Sequence, residues 1–298
     1  FFKKKKKLKI GCFKEGVALL LRHKSLELFQ QMLLSSEMTF LSNQVLKIVY
    51  TIAKTCARHN GDIFDSFFRQ WALLSEVILA GVNAIDISTR ESCILLIGVL
   101  CSNDKFLCQL FEEKQVTILT DIVNQSSSKV SEDEQLLVVA SLHALTDVFL
   151  CQGAEDSKVQ KIQKTLIKQF GGIEKLFTFI QLPFDDLRFG AFRLIDQISK
   201  HPWALQIVYS TAGLYEYLTN RRDADIKLAM EWKYAVLQSI YKNPLCSKTL
   251  TSIHQEQLKE HLQQGVVFNT SQPSDTHKRK DNKVNQSGAV KIIWDERY

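Results

Sequence analysis

Apolar residues recur along this chain at helical spacing almost from end to end. In 184–200 they are Leu187, Ala191, Leu194, Ile195 and Ile198, a set spaced i, i+4, i+7, i+8, i+11. In 224–241 the same stripe is drawn by Leu228, Trp232, Ala235, Val236, Ser239 and Ile240. The pattern predicts further helices near 13–23, 26–36, 40–59, 62–79, 88–101, 104–112, 115–124, 132–151, 157–169, 173–180, 203–210, 213–219, 246–252 and 255–263. No alternating strand pattern is found before residue 266. The predicted class is all-α.

Short polar breaks separate these helices, and they resemble one another. "SKHPW" (199–203) and "YKNPL" (241–245) each place a polar residue at a helix N-cap and proline at the first helical position, where its missing N–H costs nothing. "CSND" (101–104) caps without proline. Trp203 and Leu245 are then expected to pack on the preceding long helix. From His201 to Asn243 is 42 residues, and from Asn103 to His201 is 98, two units of 49. These are the unit lengths of HEAT and armadillo repeats. "FGGIEKLFTFI" (170–180) adds a glycine pair opening the second helix of an armadillo-type unit, ahead of its long third helix at 184–200. The expected architecture is a HEAT/armadillo-type right-handed α-solenoid over 12–265, with long helices lining its inner surface. Each unit buries its apolar face only against its neighbours.

Composition changes this picture only at the ends. Residues 1–11 hold Lys3 to Lys7 and Lys9, and are expected to lie outside the fold. They account for all of the net charge of +6, since the rest carries 32 basic and 32 acidic residues. A neutral body lacks the spread of cations that grips a polyanion, so nucleic acid is not an expected partner. The lysine run is compatible with a nuclear import signal. Residues 266–298 turn polar ("NTSQPSDTHKRKDNKVNQSG") and read as a disordered tail. The longest apolar run, "CILLIGVLC" (93–101), is about half the length of a membrane span, and no membrane crossing is expected. Seven cysteines without a C-x-x-C pair suit reduced thiols, and the expected location is the cytoplasm with possible entry to the nucleus.

Chemistry is sparse. Glycine-rich phosphate loops and a nucleophile elbow are missing, and neither the cysteines nor the histidines offer metal-ligand spacing. Asp185-Asp186 and Glu132-Asp133-Glu134 open helices, where carboxylates meet the positive end of the helix dipole. His143, inside "LLVVASLHALTDVFL", reads as a core or groove histidine. The chain is not expected to be an enzyme or to need a cofactor.

The stretch "QLPFDDLRFGAFRLIDQISKHPWALQIVYSTAGLYEYLTNR" (181–221) resembles the C-terminal region of the proteasome 26S non-ATPase regulatory subunit 5 family. The resemblance rests on Pro183-Phe184, Ala191, Pro202-Trp203-Ala204, Gly213, Glu216-Tyr217 and Arg221, with Lys233-Tyr234 in register and a weaker match at "LLIGVLCSND" (95–104). It runs from about 85 to 262 and is faint over 12–84. The chain opens on Phe rather than Met, and the family's N-terminal portion is expected to be absent. The resemblance implies a chaperone for assembly of the proteasome regulatory-particle base. Such a chaperone holds an AAA-type ATPase subunit through its C-terminal domain, acts as a monomer and leaves on maturation. The alternative is a generic cytosolic helical-repeat scaffold or adaptor. A nuclear-import adaptor would carry Trp-x-x-x-Asn ladders, but Ser75, Ile207, Val236 and Tyr298 stand four residues after the tryptophans.

Opposite the apolar stripes, Arg193, Asp196, Gln197, Tyr234 and Gln238 are expected to form a solvent-facing ridge on the inner helices and to bind the partner. Deleting residues 1–10 is expected to abolish any retention of the protein on DNA, because the remaining body is neutral. Retention that survives the deletion and falls steeply with salt would reveal a basic face in the body.

Overall fold

The computed structural model describes residues 14–34, 39–59, 62–70, 72–126, 131–151, 157–220 and 227–266. The lysine run and the polar tail lie outside the described residues, as do Trp71, Trp294 and Arg221. Among the described residues there is no strand. The helices fall into five units of three, each ending in its longest helix. Unit one holds α1 (Lys14–Arg22), α2 (Ser25–Leu34) and α3 (Thr39–His59). Unit two holds α4 (Asp62–Gln70), α5 (Ala72–Val82) and α6 (Ile87–Cys101). Unit three is α7 (Asp104–Glu112), α8 (Thr117–Gln125) and α9 (Glu132–Val148), and unit four is α10 (Lys158–Gln169), α11 (Gly172–Ile180) and α12 (Asp185–Ser199). In unit five a 3-10 turn (Pro202–Ala204) leads into α13 (Leu205–Ser210), followed by α14 (Leu214–Thr219) and α15 (Lys227–Lys242). Two further helices, α16 (Cys246–Thr249) and α17 (Ser252–Gln264), close the array. The long helices stack in sequence, α3 on α6, α6 on α9, α9 on α12 and α12 on α15. The fold is an all-α solenoid.

Several helix limits differ from the pattern reading. The helix expected over 62–79 corresponds to the described stretches Asp62–Gln70 and Ala72–Val82, with residue 71 outside the described residues. Pro202 opens a tight 3-10 turn ahead of the helix expected at 203. The last helix starts at Ser252 rather than 255, because the Thr251 hydroxyl accepts from the His254 N–H at 3.3 Å and sets the cap there.

The turn from first to second helix repeats one backbone solution. It passes through the left-handed region at Lys24 (φ 51°), Lys114 (φ 59°), Gly171 (φ 96°) and Gly213 (φ 77°). Glycine enters that region without a Cβ penalty, which explains the glycine signal in units four and five.

The polar breaks do more than cap. Asn103 caps its own helix, accepting from the Lys105 N–H at 2.9 Å. His201 has N-cap geometry but gives its helix no side-chain hydrogen bond. Its ring reaches back one unit instead, with Nε2 at 2.8 Å from the Phe149 carbonyl oxygen. A carbonyl only accepts, so Nε2 carries the proton. Asn243 does both, accepting from the Leu245 N–H at 3.0 Å and donating to the carbonyls of Ser199 (2.8 Å) and His201 (3.1 Å). Earlier in the array the Cys151 thiol donates to the Cys101 carbonyl at 3.1 Å. Cys151, His201 and Asn243 are all buried. They form a ladder that satisfies the exposed carbonyl ends of three successive long helices, α6, α9 and α12. Trp203, expected in the core, is half-buried against it, with Lys164 over its ring at 5.5 Å.

The tightest crossing is α6 against α9. A Cβ built on Gly98 would stand 2.3 Å from Ala144 Cα and 2.6 Å from Ala144 Cβ. Only glycine lets these two backbones approach so closely. Gly98→Ala would gain about 1 kcal/mol of helix propensity. Separating the helices costs more, and a net loss of about 1–3 kcal/mol in urea unfolding is expected. A variant as stable as the parent would show that the crossing has slack.

Candidate partner-binding surface

Because the long helices stack side by side, the faces they turn away from their own units join into one continuous surface. A cleft of about 420 Å3 is cut into it where α6, α9 and the start of α12 meet. Leu95 from α6, Leu136, Val139 and Ala140 from α9, and Phe184 from the turn before α12 give it an apolar lining. Leu136 is 43% exposed, an apolar side chain left facing the opening. Glu91, Glu132 and Asp186 supply carboxylates, and Gln135 an amide. Glu132 and Asp186 sit in the first turns of α9 and α12, so the preference that places an acid at a helix start also makes the cleft acidic here.

One turn or more further along α9 the polarity changes sign. His143 lines the cleft. Burial, then the positive charges of Arg193 on α12 and Lys54 on α3, press its pKa down to about 4. The imidazole is neutral at physiological pH. Glu91 is shifted the opposite way: burial raises its pKa, and Lys47 on α3 partly offsets this. Carboxylates, apolar side chains, a neutral histidine and two cations therefore share one surface. Among the described residues no group of three or more acidic, histidine or cysteine side chains could hold a metal. No helix among them is long and apolar enough to cross a membrane.

The structure separates the five residues expected on a solvent-facing ridge. Arg193, Tyr234 and Gln238 are partly exposed. Asp196 and Gln197 are buried, at 6% and 7% exposure, and the expectation is corrected for both. Asp196 accepts from the Ser239 hydroxyl of α15 at 2.6 Å and from Lys200 at 2.7 Å. Gln197 donates to the Phe149 carbonyl at 3.0 Å. Both residues bind one unit to the next. The reason is geometric: α12 is covered by α9 on one flank and α15 on the other, which narrows the free stripe that periodicity alone would allow. The Tyr234 hydroxyl also has a structural tie, donating to the Leu262 carbonyl of α17 at 3.3 Å. Glu91, Gln135, Lys54 and the acids at the helix starts were not among the residues expected to bind. Nothing in the spacing separates a helix-start acid that lines a cleft from one that does not.

The model of the proteasome non-ATPase 26S subunit family matches residues 67–281. The chain belongs to that family. No curated protein matches it. Among solved structures, a designed armadillo repeat protein in complex with the peptide (KR)4 is similar with a TM-score of 0.56 and 15% identity, over 79% of this chain and 90% of that one. A computationally designed armadillo repeat protein for modular peptide recognition gives 0.53 and 14%, over 78% and 90%. An engineered protein gives 0.55 and 12%, over 86% and 88%. At such identities the likeness is one of fold, and it makes this proteasome non-ATPase 26S subunit family member armadillo-like.

The half-buried cleft histidine has a consequence for stability. Folding lowers the His143 pKa from 6.5 to about 4, so the unfolded chain binds the proton more tightly. The stabilisation is complete above pH 6.5 and is lost as pH falls from there towards 4. His201 is shifted in the same direction by burial. Urea unfolding of the parent is expected to weaken over this window, and His143→Gln to flatten part of the dependence. Equal slopes in parent and variant would place His143 in contact with water in the folded state.

Proposed function

We propose that this protein is a chaperone for assembly of the proteasome regulatory-particle base. In this reading it holds the C-terminal domain of one free AAA-type ATPase subunit on the long-helix surface and is released on maturation. Its place of action is the cytoplasm, with the nucleus as a second site. The observation that carries the reading is a coincidence of positions. The stretch that matches the proteasome non-ATPase 26S subunit family, 67–281, contains every residue lining the acidic cleft.

The chemistry of the surface supports a partner that must leave. The cleft mixes carboxylates, an amide and apolar side chains, and Arg193, Tyr234 and Gln238 extend that mixture across α12 and α15. Polar, incompletely dry interfaces of this kind give specificity without permanence. Holding the ATPase domain here would keep it from docking early on the proteolytic core, and the assembled ring would compete for the overlapping surface.

The test is capture of each proteasomal ATPase C-terminal domain, purified singly, by the full chain. One domain is expected to bind. Arg193→Glu, which puts a fourth acid beside a cleft that already holds three carboxylates, is expected to change affinity by about tenfold or more. Tyr234→Ala is expected to have a smaller effect. Capture of none of the domains would overturn the chaperone reading in favour of a scaffold. Capture insensitive to both substitutions would move the contact elsewhere on the solenoid.

A further inference from the structure

A second cavity, of about 530 Å3, shares no residue with the cleft. It opens along the edge formed by the first helices of units three and four, between the end of α7, the start of α8 and the outer face of α10. Phe111 and Ile162 make its floor. Lys114, Lys158 and Lys161 stand around it against one carboxylate, Glu112, which is ion-paired to Lys158. Lys114 and Lys161 are exposed and pair with no carboxylate among the described residues. Helix α10, KVQKIQKTLIKQ, carries four lysines and no acid. The rest of the chain beyond the lysine run balances 32 bases with 32 acids, so this surplus is local.

Lys114 occupies the left-handed turn position that unit one gives to Lys24 and that units four and five give to Gly171 and Gly213. Its backbone is strained there, and glycine would remove the strain. The turn itself does not require a lysine.

We propose that this edge groove is a docking site for an acidic segment of a protein partner, one in which carboxylates flank an apolar side chain. The apolar residue seats on Phe111 and Ile162, and the carboxylates reach Lys114 and Lys161. A nucleic acid is disfavoured because the floor is apolar, which suits a hydrophobic side chain and not a phosphate backbone. The site is independent of the chaperone reading, since it stands on different helices.

The experiment titrates the full chain against a fluorescent peptide, Asp-Glu-Leu-Asp-Glu, at low salt. Binding is expected to weaken with salt, with Leu→Ser in the peptide, and by about threefold to tenfold for each of Lys114→Gly and Lys161→Gln. Lys114→Gly is expected to melt no lower than the parent, so its loss of binding is not a loss of fold. Arg193→Glu is expected to leave peptide affinity unchanged. The proposal is overturned by a failure of the peptide to bind, by unchanged affinity in Lys114→Gly, or by indifference to Leu→Ser. A single-stranded oligonucleotide that binds more tightly than the peptide, and loses affinity in the same lysine variants, would also overturn it.

Discussion

The carbonyl end of each long helix is the constraint around which this solenoid is arranged. An α-helix leaves its last carbonyls without partners, and in a stack of units those ends are covered by the next unit and cut off from water. The chain answers with a buried donor at three successive junctions: the Cys151 thiol on Cys101, the His201 imidazole on Phe149, and the Asn243 amide on Ser199 and His201. Side chains add to it, with Gln197 on Phe149 and Gln163 on Val148 and Cys151. An unpaired buried carbonyl costs more than a made hydrogen bond contributes, so these donors fix where each unit must sit.

The same device explains why the binding surface is narrower than a helical wheel suggests. Register between α9, α12 and α15 is held by polar groups on the flanks of α12, and those groups are therefore unavailable to a partner. Asp196 and Gln197 are the clearest cases. What remains open is the strip between flanks, and there the helix starts bring carboxylates while Lys54 and Arg193 bring positive charge near His143. The charge of this strip changes sign along the helix axis.

Most of the architecture was legible in the sequence because it depends on local rules. Apolar spacing gave nearly every helix, proline marked two of the unit boundaries, and glycine marked the turn from first to second helix in units four and five. The breaks at His201 and Asn243 could be seen as repeated punctuation. That their side chains turn backwards to the previous unit could not, since an N-cap residue and an inter-unit donor are the same residue types. The site was less legible for a related reason. Arg193, Tyr234 and Gln238 lie outside the apolar stripe and are partly exposed, but Asp196 and Gln197 lie outside it too. Only the neighbouring helices distinguish them.

The joints between long helices are of two kinds. At Gly98 the α6–α9 crossing is backbone against backbone, with the Cys151 thiol on the Cys101 carbonyl as a polar rung at its end. The α12–α15 crossing is tied by the Ser239 hydroxyl on Asp196 and by both bonds of the Asn243 amide. Dispersion contact has little directional preference of its own, but the notch at Gly98 resists sliding because a neighbouring side chain would be carried into Ala144. Hydrogen bonds resist a change of angle. The array is thus joined in two ways, its middle by the fit of shapes and its C-terminal end by directed polar bonds that fix an angle.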